Sequence, residues 1–254
     1  NVLQTCVFDA WNIPFWLTVL VFIALILLYT YKGGVKTIVW TDTLQTSFML
    51  LSVVLSLILI TNALDFSWGE VFQQVFNGEH SRLLETDWHA KNHFLKHFLG
   101  GMFIAVAMTG LDQEMMQKNI SVKTLAGAQK NVVTFSLVLI VINFLFLVLG
   151  VMLYNYAAAH PGGLTLRTSD DLFPSIALHA LGTASAVFFI IGLISAAYPS
   201  ADGALTALTA SFCIDFLNIH KRDMTEAQRK KIRYTVHISF ALLLLAVVVV
   251  IRIL

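Results

Sequence analysis

Within one apolar run, SAAYPSADGALTALTASFC sets Ser195, Pro199, Asp202, Thr206, Thr209 and Cys213 three or four residues apart. A helix of 3.6 residues per turn gathers these six into one stripe, with Ala196, Ser200, Gly203, Ala207 and Ala210 in the stripe beside it. A carboxylate among hydroxyls is an oxygen-rich surface suited to a hard cation. Small neighbours let another helix come close, and packing alone is a sufficient reason for Gly203, Thr206 and Thr209. Asp202 calls for more, because an ionised carboxylate at membrane depth costs at least about 2.5–3.5 kcal/mol. Pro199 frees a second polar group. It has no N–H, so the Ser195 carbonyl loses its helical donor and must turn to a side chain, water or a cation. Tyr198, Leu205, Leu208 and Phe212 form the apolar side of the same run.

Three further constellations have helical spacing or local density. Asp42, Gln45, Ser52 and Ser56 share one helix face. They fit a second ion site or an ion exit, and equally a carboxylate that neutralises Lys36 and nearby backbone. His89, His93 and His97 recur every four residues and would turn three imidazoles to one side. With no cysteine or paired carboxylate beside them, an interfacial polar face fits better than zinc. In MTGLDQEMMQKN, Met108 and Thr109 precede the cluster Asp112, Gln113 and Glu114. That cluster reads as solvated loop charge, or as a gate or substrate contact. HExxH, GxSxG and GxxxxGK[ST] are all absent, and Cys6 and Cys213 form no CxxC framework. Neither an enzyme, an organic cofactor nor a nucleic-acid partner is expected.

The elements that position these residues belong in a bilayer. Hydrophobic residues make up 57% of the chain and charged ones only 12%, against roughly 25% charged in soluble domains. Six runs, at about 13–31, 38–61, 97–111, 132–157, 183–213 and 234–254, approach the ~20 residues that cross a hydrocarbon core. The expected class is an all-α polytopic membrane protein with no separate soluble domain. Alternating ten-residue segments of a barrel are not seen. The fifth run is longer than one crossing needs, so it must tilt, kink or protrude. Lys32 and Lys36 mark the first loop as cytoplasmic, and the acid-rich stretch 62–92 marks the second as external. Lys221, Arg222, Arg229, Lys230, Lys231 and Arg233 make the fifth loop the most basic, which sets the N-terminal end outside. In the outer loop, SWGEVFQQVFNG predicts an amphipathic helix with Val71, Phe72, Val75 and Phe76 on one side. Asn1 in place of Met, and an apolar finish at Leu254, lead to the expectation of an internal piece of a longer protein.

GGVKTIVWTDTLQT at 33–46, MTGLDQEMMQKN at 108–119 with AQKN at 128–131, and GLISAAYPSADGALTALTASFCID at 192–215 resemble the solute:sodium symporter family. The resemblance runs in order along essentially the whole chain and is closest to uncharacterised bacterial members. It implies a LeuT-type fold of two inverted five-helix repeats, of which the six helices here would be core helices 4 to 9. It also implies Na⁺-coupled symport of a small organic solute such as a sugar, sialic acid, amino acid or carboxylate, by alternating access. The setting would be the bacterial cytoplasmic membrane. Na⁺ would be the coupling ion, with the solute, the bilayer and the remaining helices of a full-length transporter as partners.

The family's common Na⁺ site maps to the Ala196 carbonyl, position 199 and the Ser200 hydroxyl. Asp42 matches the acid of the family's TD motif, tied to Na⁺ release or a second Na⁺ site, and Asp202 and Gly203 fall where some members place hydroxyls for that site. Pro199 departs from the usual Ser or Thr and removes one hydroxyl ligand. The Ser195 carbonyl or the Asp202 charge is expected to stand in for it. Ala105 and Met108 occupy positions where sugar carriers tend to have polar or aromatic residues. A non-transporting sensor or truncated member is the alternative.

Overall fold

The computed structural model describes residues 3–78, 84–160 and 169–253, with a few side chains inside these ranges, notably those of 29–39, left undescribed. Arg82 and Arg167, which carry charge in the second and fourth loops, lie outside the described residues. Every regular element among the described residues is helical. They are α1 (Phe15–Ala63), α2 (Trp68–Asn77), α3 (Phe94–Gly110), α4 (Gln113–Ile120), α5 (Leu125–Ala159), α6 (Leu172–Ser175), α7 (Gly182–Ser211) and α8 (Glu226–Ile253). The all-α, membrane-spanning class expected from the sequence is borne out. Four segments, Trp40–Ala63, Leu125–Ala159, Gly182–Phe216 and Glu226–Arg252, are long and apolar enough to cross a bilayer, and Phe15–Leu28 and Phe94–Met108 are shorter apolar helices.

Residues 31–36, expected as a loop between two spans, have helical backbone instead, and α1 runs on through them. The only breakers there are Gly33 and Gly34. Each glycine costs about 1 kcal/mol relative to alanine, too little to end a helix held by apolar runs on both sides when no proline follows.

Helix ends are set by local chemistry. Ser67 caps α2: its Oγ accepts from the Glu70 N–H at 3.3 Å, while the Glu70 carboxylate accepts from the Ser67 N–H at 2.7 Å. Thr225 and Gln228 make the same reciprocal pair at the start of α8. Thr124 caps α5 by accepting from the Gly127 N–H at 3.1 Å. A π-helical turn, Phe212–Phe216, extends α7, and the left-handed Asn218 (φ 49°) turns the chain away just beyond it.

The chain forms two compact units. In the unit Ser52–Phe189, Val53, Leu57 and Ile60 of α1 repeat at helical spacing and bury against Val148, Leu149, Met152 and Tyr156 of α5. Val71 of α2 closes the same core, as the amphipathic pattern of that helix requires, and Leu172 and Ile176 complete it. In the other unit, Asn1–Leu51 with Ile190–Leu254, Ile23 and Ile26 of α1 meet Leu205 of α7 and Ala241 of α8. Ala241 is fully buried, and its small side chain allows the close approach.

Candidate functional site

The stripe read from the sequence is an inward face of α7. Ser195, Asp202, Thr209 and Cys213 are all buried, and Asp202 has no exposed surface at all (0%). One turn beyond Asp202, Thr206 Oγ1 is also buried and takes no hydrogen-bond partner. A carboxylate and an unsatisfied hydroxyl thus lie on adjacent turns of one helix, away from solvent. Pro199 sits between Ser195 and Asp202 without interrupting α7, which is helical from Gly182 to Ser211. Within that helix the Ala196 carbonyl has the Ser200 N–H as its regular donor, whereas the Ser195 carbonyl faces the ring nitrogen of Pro199 and has none.

Ala196 and Ser200 are exposed. Ser200 lies on the wall of a largely apolar cavity of about 410 Å³, with Tyr198 and Ala201 beside it, Thr18 and Phe22 from α1 and Leu244 from α8. Asp42 is partly buried on α1, in the same unit as the α7 stripe. The Oε1 of Gln45, three residues on, is buried and takes no hydrogen-bond partner.

Met108, Asp112 and Gln113 belong to the other unit and are exposed. The Thr109 side chain lies outside the described residues. Asp112 has a plain structural role, its carboxylate accepting from the Met115 N–H at 2.8 Å and so capping the first turn of α4. His93 caps α3, its Nδ1 accepting from the Leu95 N–H at 3.2 Å, and packs edge-on to Trp88. Among the described residues no three His, Cys, Asp or Glu side chains are grouped to hold a metal.

Two polar groups escape a reading of the sequence alone. Thr209 donates to the Leu205 carbonyl at 2.7 Å and lies 3.0 Å from Nδ1 of the buried His237 on α8. A hydroxyl has one hydrogen, and here it goes to the carbonyl. Nδ1 of His237 must therefore be the donor to Thr209, which fixes the proton on that nitrogen. The signal was a lone histidine in the apolar run HISFALLLL, and an ionisable residue inside a span should always prompt a search for its partner. Gln4 is the second. It donates to Asp9 at 2.6 Å and to the Ile13 carbonyl at 2.7 Å and accepts from Thr18 at 2.8 Å, tying the N-terminal turns to α1.

The model of the sodium:solute symporter family matches residues 8–253. Among similar proteins, the sodium/sialic acid symporter NanT of Aliivibrio fischeri is 21% identical over 86% of this chain and 44% of its own length. The sodium/sialic acid symporter SiaT of Proteus mirabilis is 21% identical over 82% of this chain and 43% of its own. The sodium-dependent multivitamin transporter of Oryctolagus cuniculus is 29% identical over 43% of this chain and 17% of its own length. The chain thus spans less than half the length of these relatives. A solved structure described as the substrate-bound outward-open state of a Na⁺-coupled sialic acid symporter, with a novel Na⁺ site, superposes with a TM-score of 0.84. It covers 98% of this chain and 54% of that one, at 19% identity, and so shows a shared fold. With the family model spanning nearly every residue and the fold shared with that solved carrier, this chain belongs to the sodium:solute symporter family.

Proposed function

We propose that the chain is the portion of a Na⁺-driven carrier that holds one wall of the ion site. The whole protein moves a small organic solute into a bacterial cell by alternating access across the cytoplasmic membrane, with the N-terminal end of this chain outside. The observation that carries this reading is Asp202, fully buried on α7 one turn from the unsatisfied Thr206 hydroxyl.

A buried carboxylate is expensive to keep charged. A cation beside it removes that cost, and a hard cation prefers the oxygen donors present here. The donor set is the Asp202 carboxylate, the Thr206 hydroxyl and the Ser195 carbonyl released by Pro199. The Ala196 carbonyl and the exposed Ser200 hydroxyl, which the family pattern marks as ligands, form the neighbouring edge where the rest of the protein would add its own. Asp42 with Gln45 on α1 offers a second station. Na⁺ and solute that favour the same conformation raise each other's affinity by linkage, and that coupling lets the ion gradient drive the solute. Met108, Thr109, Asp112 and Gln113 are proposed to act at the solute gate, beyond the capping role of Asp112.

Sialic acid is the first solute to try, because two bacterial relatives that align with more than four fifths of this chain are named for it. The test is the Na⁺ concentration dependence of uptake by the full-length protein carrying Pro199→Ser or Asp202→Asn. Asp202→Asn is expected to raise the Na⁺ concentration for half-maximal uptake at least tenfold. If that concentration is unmoved by either substitution, the α7 donor set is not the ion site.

A further inference from the structure

The turn that joins α7 to α8 lies at the edge of the bilayer, because both helices are long and apolar enough to cross it. About 20 residues cross a hydrocarbon core, and the segment Glu226–Arg252 has 27. Charge costs least outside the hydrocarbon, so the surplus falls at the cation-rich end and sets Arg229, Lys230, Lys231 and Arg233 among the lipid headgroups. From Asp215 to Arg233, six Lys and Arg stand against three Asp and Glu, a net charge of +3 with His220 neutral. The turn is held from beneath, where Cys213, Ile219 and Val236 bury together. Arg229 is tied up within it, Nη1 lying 3.6 Å from the Glu226 carboxylate and Nη2 donating to the Arg222 carbonyl at 3.4 Å. Lys221, Arg222, Lys230, Lys231 and Arg233 remain exposed, with the Lys230 ammonium 5.7 Å from the centroid of the Tyr234 ring. Where α7 ends, the Phe216 ring is 74% exposed and stacks on Phe212, which meets Phe240 of α8 edge-on.

We propose that this turn is a docking site for an anionic phospholipid of the adjoining leaflet. A phosphodiester carries the charged oxygens that guanidinium and ammonium groups bind most strongly, and a cluster of about four to eight Lys and Arg next to a span is the pattern that takes anionic headgroups. The Phe216 ring adds apolar surface at the same level, where the first methylenes of an acyl chain can pack. A free phosphate would have no use for it. Because the buried residues beneath already hold the turn in place, the lipid pays little to order it. The site stands on the spans and the charges, independently of the ion site on α7.

Native mass spectrometry of the purified full-length protein tests this, with dioleoyl-phosphatidylglycerol as the probe and dioleoyl-phosphatidylcholine as the zwitterionic control. Phosphatidylglycerol should bind saturably and at least tenfold more tightly than phosphatidylcholine, and a tenfold rise in salt should weaken it at least threefold. The variant K221Q/R222Q/K230Q/K231Q/R233Q should lose at least tenfold in affinity for phosphatidylglycerol, with its affinity for phosphatidylcholine within twofold of wild type. K221E/K231E, which changes two exposed positions only, should show the same loss and serves if the first variant fails to fold. K118Q/K123Q/K130Q, which neutralises lysines around the turn between α4 and α5, should bind like wild type. Glycerol phosphate, the headgroup charge without acyl chains, should not displace the lipid at equal concentration. Equal affinity for the two lipids overturns the proposal, as does an affinity unmoved by both variants of the α7–α8 turn. An equal loss in K118Q/K123Q/K130Q, or displacement by equimolar glycerol phosphate, also overturns it, showing general surface charge or a free-anion site instead.

Discussion

At the scale of single residues, the polar groups of α7 divide into those satisfied by partners inside the chain and those aimed at something else. Thr209 is of the first kind, bonded to both the Leu205 carbonyl and His237. Thr209→Val would remove the Thr209–His237 hydrogen bond and should lower stability by about 1–3 kcal/mol, read as a lower Tm of the full-length protein in detergent, whereas Thr209→Ser should melt near wild type. An unchanged Tm for Thr209→Val would mean that the pair contributes nothing. Thr206 is of the second kind, a buried hydroxyl with no partner, one turn from a fully buried carboxylate. Thr206→Val removes a proposed ion ligand without stranding a protein donor. Its expected outcome is a wild-type Tm with Na⁺ affinity reduced at least threefold in the uptake assay. Ser195, Asp202, Thr206 and Thr209 were legible from spacing because a helix repeats every 3.6 residues whatever surrounds it. His237 was not, because a bond between two helices depends on how they pack, which spacing within one helix does not encode.

At the scale of elements, α2 shows how a short helix is secured. Ser67 and Glu70 cap it reciprocally, and Val71 anchors it in the core formed by α1 and α5. The backbone and side-chain hydrogen bonds from Ser67 hold the Glu70 carboxyl below its ordinary pKa. A folded-state pKa below the unfolded one gives stability that is present above the ordinary glutamate range and lost as pH falls through it toward the lowered value. The protection factors of the 68–77 amides against hydrogen exchange should therefore fall on acidification through that range. Glu70→Gln, which keeps an acceptor but does not titrate, should flatten the response; equal pH dependence in both proteins would show that the cap is not what titrates. The amphipathic pattern and the S-x-x-E signature made α2 readable from sequence. The helical join at 31–36 was not, because a Gly-Gly pair lowers helix propensity without forbidding the helix, and the flanking apolar runs decide the outcome.

At the scale of the whole molecule, the apolar runs, the all-helical architecture and the family were carried by composition and by three motifs, while the two-unit organisation was not visible in any periodicity. The acid-rich stretch 62–92 and the basic stretch 221–233 predict the sidedness. With Cys6 and Cys213 replaced by alanine, the Arg222→Cys protein should react with an impermeant maleimide only from the cytoplasmic side, and the Gln73→Cys protein only from outside. Labelling of both from one side would overturn the assigned orientation. The claim that the protein is a Na⁺-driven carrier is tested most directly by solute uptake into proteoliposomes of the full-length protein, with a solute panel led by sialic acid. An inward Na⁺ gradient should drive accumulation of at least one solute, collapsing the gradient should abolish it, and Asp202→Asn should make it demand at least tenfold more Na⁺. Uptake that runs equally well in choline would contradict it, and uptake that survives Asp202→Asn at an unchanged Na⁺ dependence would remove Asp202 from the ion site.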